Sequence, residues 1–185
     1  MEIKKLQDPL TREDIDFRAA QVYKAGDMVK ASVLAYKDAR VDMKRLDDVV
    51  GALNWQVEYK RDSKGILQCG IGVYDDLNPT KGFVWKWSNG IPSNFESDKG
   101  EYSDAFKRAG FMWGIGRQLY DFPQIVIILN EKDYKEYNGK LQITGWFRPN
   151  DFKWDISSDY KTVTAKRKYG NELKEVYNSN PYNKK

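Results

Sequence analysis

The chain has 185 residues with a formal net charge of +4, and 41% of the residues are hydrophobic. This length and composition suit a folded domain with its own core and exclude a chain that is disordered throughout. Histidine is absent, which excludes every catalytic mechanism and metal site that needs an imidazole.

The first elements that the sequence predicts are a β-hairpin and a helix. Alternating apolar residues indicate strands at residues 17–23 and 28–36, joined by a glycine-containing turn. Asp38 is typical of a helix N-cap, and the spacing after it predicts a helix to about Val50, with Gly51 just past its end. The predicted core face of this helix contains Ala39, Met43, Leu46, Val49 and Val50.

The middle of the chain predicts three antiparallel strands followed by a long helix. Alternating patterns mark strands at residues 55–59, 67–73 and 83–87, separated by turns. The helix is expected from about Ser97 to Arg117. The fold class is therefore α+β: a β-hairpin, a helix, a three-stranded antiparallel meander and a long helix.

The last third of the chain gives weaker signals. Residues 125–129 are either a buried strand or a helical segment, residues 131–137 look helical, and residues 147–154 could form a strand around Pro149. We assign residues 1–160 to one domain and residues 161–185 to a basic tail. That tail carries seven basic and two acidic residues, and we expect it to be partly disordered with a short helix at about 171–177.

The long helix carries two adjacent cations among several glycines. Lys107 and Arg108 lie on the side of the helix that also holds Gly110, Gly114 and Phe111. A glycine inside a helix costs about 1 kcal/mol relative to alanine, so a tertiary contact must offset this. Either a neighbouring backbone approaches closely there, or the glycines form a smooth shelf for a phosphate backbone. The two cations could also belong simply to a solvated face.

Four carboxylates lie at the start of the same helix, at Glu96, Asp98, Glu101 and Asp104. They could bind Mg²⁺ in a nuclease. Acidic residues in the first turn of a helix also interact favourably with its dipole, and Asp104 with Arg108 has the spacing of an ion pair. No phosphate-binding loop motif of the P-loop type occurs in the chain.

The single cysteine and the apolar segments bear on the cellular location. Cys69 lies in an apolar run and is expected to be a small buried hydrophobe. No apolar run approaches the roughly 20 residues of a membrane span, and the N-terminus lacks a signal-peptide core. We therefore expect a cytoplasmic protein that does not associate with membranes.

Several segments together resemble a known family. They are DIDFRAAQV (14–22), AYKDARVDMKRLDDVVGALNWQVEY (35–59), CGIGVY (69–74), WKWSNG (85–90), DKGEYSDAFKRA (98–109) and WGIGRQLY (113–120). In this order they resemble the phage Sak-type single-strand annealing proteins of the Rad-fifty-two superfamily, over about residues 8–121. Beyond Pro123 the resemblance ends.

The resemblance implies a β-β-α-β-β-β-α core that assembles into an oligomeric ring or arc. A basic groove around the ring would hold single-stranded DNA, and the protein would anneal complementary strands without ATP or another cofactor during recombination. The implied partners are single-stranded DNA, further copies of the chain and a single-strand-binding protein of the phage or its bacterial host. The alternatives are the metal-dependent nuclease and a protein-interaction module that has this fold but does not anneal DNA.

The resemblance also implies DNA-binding residues. Lys107 and Arg108 match the adjacent basic pair at the floor of the family's groove, and Arg40 lies at or next to a DNA-contacting basic residue of the first helix. Eukaryotic members have another arginine one turn after the pair, where this chain has Phe111, which could stack on a base instead. Further DNA contacts are expected from Lys99, Lys86 and Arg117. No catalytic residue is implied.

Overall fold

The computed structural model describes residues 2–91 and 97–180, with the backbone alone for residues 97–99. Two α-helices and eleven strands lie within this described part. The helices are α1 (Ala39–Val50) and α2 (Ser97–Trp113). The strands are β1 (Asp16–Ala25), β2 (Met28–Tyr36), β3 (Trp55–Arg61), β4 (Leu67–Tyr74), β5 (Phe83–Asn89), β6 (Ile125–Ile128), β7 (Tyr134–Tyr137), β8 (Lys140–Ile143), β9 (Lys153–Ile156), β10 (Val163–Tyr169) and β11 (Glu172–Asn178).

The strands form antiparallel sheets in the orders β1-β2-β6, β3-β4-β5, β11-β10-β9 and β7-β8. The α+β class and the predicted hairpin, helix and meander are therefore confirmed. The chain divides into two compact units. Unit 1 combines residues 1–14 with 37–117, and unit 2 combines residues 15–36 with 118–185.

In unit 1 the long helix α2 packs on one face of the β3-β4-β5 sheet. The central strand β4 contributes alternating apolar side chains to this face, and the Trp113 indole nitrogen of α2 donates to the Ile71 carbonyl oxygen at 2.9 Å. Cys69 is fully buried, as predicted, and burial raises the pKa of its thiol to about 12. The buried cluster consists of Leu6, Leu46, Val50, Leu67, Cys69, Ile71, Val73, Ala105, Phe106, Ala109, Trp113 and Ile115.

The other face of β4 is flat because it carries two glycines under tryptophan rings. A Cβ atom at Gly70 would lie 2.6 Å from the Trp87 ring, and one at Gly72 would lie 2.7 Å from the Trp85 ring. Trp85 and Trp87 stack with their ring centroids 5.8 Å apart. The glycines of this strand are therefore explained by close packing within the sheet.

Unit 2 is built from the β1-β2-β6 sheet and the strands that follow it. Phe17 of β1 stacks on Trp154 of β9 with ring centroids 3.8 Å apart, which joins the hairpin to the C-terminal strands. The segment 125–129, for which strand and helix were both open, forms β6 and pairs with β2. The apolar core of this unit consists of Ile15, Phe17, Val29, Ala31, Val33, Ala35, Ile125, Ile127, Leu129, Phe147, Phe152, Trp154, Tyr160, Val163 and Ala165.

Two helix predictions in unit 2 are wrong. Residues 131–137 form turns and then strand β7, which is joined to β8 by Asn138 and Gly139, both at positive φ. Residues 171–177 belong largely to β11, which follows β10 through a tight turn at Gly170, where φ is +59°. Both turns match the short glycine-containing loops of β-hairpins.

The remaining differences concern element ends. The helix predicted to reach Arg117 ends at Trp113, because Gly114 and Gly116 adopt φ values of +99° and +77°. The strand expected around Pro149 is a short 3-10 turn, Pro149–Asp151, followed by β9. Strands β10 and β11 occupy much of the segment predicted as a partly disordered tail, and residues 181–185 lie outside the described residues.

In the part of the chain that the structure describes, no helix combines the length and apolar character needed to cross a membrane.

Candidate nucleic-acid interface

The adjacent cations of α2 are both half-buried, and Arg108 is held by a carboxylate. Its Nε donates to Asp104 Oδ2 at 2.7 Å, one helical turn away, which confirms the predicted ion pair. Asp104 also accepts the backbone N–H of Ile91 at 3.0 Å. The guanidinium carries four further N–H donors besides Nε, so the pair orients this cation without using its whole donor set.

Lys107 lies beside the beginning of α1. The pKa of Asp38, the N-cap of α1, is lowered chiefly by hydrogen bonds from Arg40 and in addition by the positive charge of Lys107. The charge of Lys107 also acts on the buried groups Lys37 and Asp42. The positive charge in the middle of α2 therefore lies close enough to the N-terminal end of α1 to act on its charged groups.

Arg40 extends this surface from the first turn of α1. Its backbone N–H and its Nε both donate to Asp38 Oδ1 at 2.9 Å. Its side chain is nevertheless 88% exposed. The capping interaction explains why the chain folds into a helix here, and it leaves the Arg40 guanidinium at the surface. We name the set Lys107, Arg108 and Arg40 the α1–α2 surface.

A buried ion pair lies beneath the α1–α2 surface. Lys37 Nζ donates to Asp42 Oδ1, and the two side chains are 1% and 0% exposed. Burial raises the pKa of Asp42 to about 6, although the neighbouring ammonium opposes this, and burial lowers the pKa of Lys37. The Phe111 ring of α2 covers the ammonium, with its centroid 4.3 Å from Nζ.

This ion pair explains the glycine in the middle of α2. A Cβ atom at Gly110 would overlap the Asp42 carboxylate and would lie 3.2 Å from Lys37 Nζ. Gly110 is therefore a buried contact with side chains of unit 1, and the hypothesis of a smooth phosphate shelf is wrong for this residue. Gly114 lies past the helix end, and a Cβ atom there would lie 2.5 Å from the Gln7 side chain, so it does not form a shelf either.

Two of the further predicted contacts, Lys86 and Arg117, cover the carboxyl end of α2. Lys86 Nζ donates to the Met112 carbonyl oxygen at 3.0 Å, and burial lowers the pKa of this lysine. Arg117 donates to the carbonyl oxygens of Phe111 and Met112 at 2.8 and 3.0 Å. Cations at this end of a helix satisfy its last carbonyls and complement its dipole. The third such residue, Lys99, has its side chain outside the described residues.

The carboxylates proposed for a nuclease are not assembled in the described part of the molecule. Glu101 is buried, and its two oxygens accept hydrogen bonds from Arg61 at 2.8 and 3.3 Å. Glu96 and the side chain of Asp98 lie outside the described residues. Among the described residues, no group of three acidic, histidine or cysteine side chains could hold a metal ion.

Sequence reasoning missed the Lys37–Asp42 pair, although a signal was present. Asp42 lies four and eight residues before Leu46 and Val50, the apolar residues that α1 buries, so it lies on the core face of the helix. Met43, predicted for that face, is 39% exposed and does not belong to the core. A carboxylate within a buried helical stripe needs a cation, and Lys37 directly precedes the helix.

The comparisons with known proteins now give the family. Residues 2–138 match the family described as "Rad52/22 family double-strand break repair protein". The chain belongs to this family. A curated relative, the "Single-stranded DNA-binding protein DdrA" of Deinococcus radiodurans, is 31% identical over 121 residues. The match covers 65% of this chain and 55% of that protein, so the chain matches about half the length of the relative. No solved structure matches the chain.

Within this Rad52/22-family chain, the family match contains the whole α1–α2 surface and ends in unit 2, after β7. The C-terminal strands β8 to β11 lie beyond it. The family match therefore covers all of unit 1 apart from residue 1 and also the strands β1, β2, β6 and β7 of unit 2.

Proposed function

We propose that this Rad52/22-family chain binds single-stranded DNA on the α1–α2 surface and promotes the annealing of complementary strands without ATP. The observation that carries the proposal is the close contact between α2 at Gly110 and α1 at Asp42, which brings Lys107 of α2 near the end of α1 that carries Arg40. Arg108 follows Lys107 directly along α2. The printed name of the DdrA relative, a single-stranded DNA-binding protein, supports the choice of ligand.

The proposed mechanism is electrostatic. Lysine and arginine side chains neutralise phosphates and release counterions, which lets two negatively charged strands approach each other. Contacts to the backbone leave the base edges available to test pairing with a second strand. The buried Lys37–Asp42 pair and the Phe111 ring hold α1 and α2 together, so that the cations of both helices stay on one surface.

The finer parts of the proposal concern assembly and origin. We propose that the chain belongs to the phage Sak-type branch, that the domain predicted over residues 1–160 performs annealing, and that several copies form a ring or arc around which the strand extends. Such an assembly would act in the cytoplasm of a bacterial host, with a single-strand-binding protein as a further partner. The mass of the protein with and without single-stranded DNA tests the assembly directly.

The test of the DNA site is the double variant Lys107→Ala with Arg108→Ala. We expect its affinity for a fluorescent thymidine oligonucleotide to fall by roughly 10-fold or more, because two phosphate contacts are lost. The slope of log affinity against log salt should become shallower by about 1.4 for two contacts on a single strand. Fluorescence anisotropy at several salt concentrations gives both values.

The matched control is Lys135→Ala with Lys140→Ala, which removes two exposed cations from the β7–β8 hairpin of unit 2. It changes the net charge by the same amount and should leave affinity and slope near those of the original protein. If a folded Lys107/Arg108 variant bound as well as this control, the α1–α2 surface would not be the DNA site.

A further inference from the structure

Trp146 of unit 2 is a large aromatic side chain that the structure leaves at the surface. Its side chain is 70% exposed, whereas the next residue, Phe147, is 2% exposed and belongs to the core. Trp146 also lies beyond the residues that match the family. An exposed indole next to a buried anchor suggests a contact surface, because burial of a tryptophan is normally favourable.

The backbone of Trp146 is held firmly by a buried ion pair. Arg167 donates to the Trp146 carbonyl oxygen at 2.7 Å, and it also donates to both oxygens of Asp133 at 2.7 Å. The guanidinium lies over the rings of Phe147 and Phe152, 5.9 and 5.6 Å from their centroids. The exposure of the indole is therefore a property of a well-supported segment, as a preorganised binding group requires.

Trp146 and Lys132 line two hollows of unit 2. The first, of about 840 Å³, is lined by Lys132, Trp146, Lys168 and Tyr169 among others. The second, of about 800 Å³, is lined by Lys132, Thr144, Gly145, Trp146, Arg148 and Asp151. Each hollow is large enough for a nucleobase, and Lys132 lies in the wall of both.

We propose that Trp146 is a stacking site for bases of single-stranded DNA, with consecutive bases in the two hollows and the connecting phosphate at Lys132. This inference rests on the proposed function for the choice of ligand, but it names a separate site in unit 2. Aromatic side chains stack on bases of any sequence, and flanking cations hold the backbone. Lys168 on one side and Arg148 on the other provide such cations for the neighbouring phosphates.

The charges around the hollows predict how this site behaves. Asp27 and Glu131 also line the first hollow, and Asp151 lines the second, so the surface is not strongly basic. Binding here must therefore depend more on stacking than on counterion release. This distinguishes the site from the α1–α2 surface, where cations dominate.

The experiment compares Trp146→Ala with Trp146→Phe in thymidine-oligonucleotide binding over a range of salt concentrations. We expect Trp146→Ala to weaken binding by about 5- to 150-fold with an unchanged salt slope, the range found when a stacked aromatic is removed. Trp146→Phe should keep most of the affinity, because a smaller ring still stacks. Lys132→Ala should make the salt slope shallower by about 0.7. The matched control is Tyr137→Ala, which removes a 60% exposed ring of the same unit that lines neither hollow.

The outcomes separate this inference from the proposed function. If Trp146→Ala binds like Tyr137→Ala while the Lys107/Arg108 variant is weakened, the stacking site is wrong and the α1–α2 surface stands. If only Trp146→Ala binds more weakly, the stacking site stands and the α1–α2 surface is wrong. If the original protein binds no single-stranded DNA, both proposals are wrong. Equal losses in Trp146→Phe and Trp146→Ala, or a shallower slope in both, would exclude stacking. An aspartate-rich peptide that needs Trp146, with oligonucleotide binding unaffected, would show a protein-docking surface instead.

Discussion

Two carboxylates, Asp42 in unit 1 and Asp133 in unit 2, are buried against a cation, and their acidities shift in opposite directions. Burial raises the pKa of Asp42 to about 6 despite the charge of Lys37. Burial is also the largest single influence on Asp133 and acts to raise its pKa, but the hydrogen bonds from Arg167 and Asn130, together with the charge of Arg167, outweigh it, so the pKa falls below its ordinary value. Asp42 lies deeper in the protein than Asp133, so the different depth of burial is one cause of the opposite shifts.

The number of hydrogen bonds that each carboxylate accepts is the second cause of the opposite shifts. Both oxygens of Asp133 accept from Arg167, and Oδ2 also accepts the backbone N–H of Asn130 at 3.0 Å. Lys37 reaches one oxygen of Asp42, and within the described part of the chain no donor reaches the other. A planar guanidinium matches a carboxylate with two parallel bonds, whereas an ammonium acts as a point charge.

The largest expected effect on stability comes from replacing the cation of each pair, Arg167 or Lys37, by methionine, an uncharged side chain of similar length. Arg167→Met should lower the free energy of unfolding by about 3–5 kcal/mol, because it leaves Asp133 buried and also removes the bond to the Trp146 carbonyl. Lys37→Met should cost less, about 1–3 kcal/mol, because the charge of Asp42 is already poorly stabilised. Urea unfolding near neutral pH measures both.

Exposed lysines provide the matched controls for these two variants. Lys166→Met on β10 and Lys44→Met on α1 remove surface cations and should change the free energy of unfolding by less than about 0.5 kcal/mol. Equal losses in Arg167→Met and Lys37→Met would show that the difference in hydrogen bonding has no energetic consequence.

A smaller effect should appear in the pH dependence of stability. The pKa of Asp42 is higher in the folded state, about 6, than its ordinary value of 3.8, so the folded state binds its proton more tightly. The resulting stabilisation is present at low pH and is lost as the pH rises from about 4 to about 6, by on the order of 2–3 kcal/mol. The difference in unfolding free energy between the original protein and Asp42→Asn, measured across this range, isolates the effect.

Asp133→Asn provides the opposite control. The pKa of Asp133 is lowered on folding. The contribution of its ionised carboxylate to the free energy of unfolding should therefore be constant above the ordinary pKa of 3.8 and should be lost only as the pH falls below that value. If the stability difference caused by Asp42→Asn changed with pH in the same direction as that caused by Asp133→Asn, the raised pKa of Asp42 would be wrong.

The smallest expected effect concerns Gly110. Alanine normally stabilises a helix by about 1 kcal/mol relative to glycine, but here the added Cβ would overlap the Asp42 carboxylate. We expect Gly110→Ala to lower the free energy of unfolding by about 1–2 kcal/mol instead. In a variant that already carries Asp42→Ala, the same change should be neutral or stabilising, and a thermal-unfolding double-mutant cycle measures this coupling. Simple additivity would exclude the proposed contact.

Much of the fold could be predicted because local signals agreed with tertiary structure. Asp38 and Gly51 define the ends of α1 by capping, and the alternation of β4 identifies its buried face. The wrong helices at 131–137 and 171–177 show the limit of this approach. Short polar segments do not separate strand from helix by their periodicity, whereas the turns at Asn138-Gly139 and Gly170 favour hairpins.

The candidate site was less predictable, because its cations are positioned by buried polar groups. Lys107 and Arg108 could be selected from the sequence and the family resemblance, and their use in DNA binding remains a prediction. The role of Gly110 could not be deduced, since it depends on a carboxylate from another helix. The C-terminal capping by Lys86 and Arg117 likewise depends on where α2 ends, which two positive-φ glycines decide.

The division of the chain between the two units has a consequence for synthesis on the ribosome. Unit 1 needs residues from both before and after the β1–β2 hairpin, and all of them are available once residue 117 has been made. The hairpin itself belongs to unit 2, and its partner strand β6 is translated much later, after α2. The nascent chain must therefore carry an incomplete sheet during the time in which unit 1 can fold, and in this period the unpaired edge of β2 is open to aggregation.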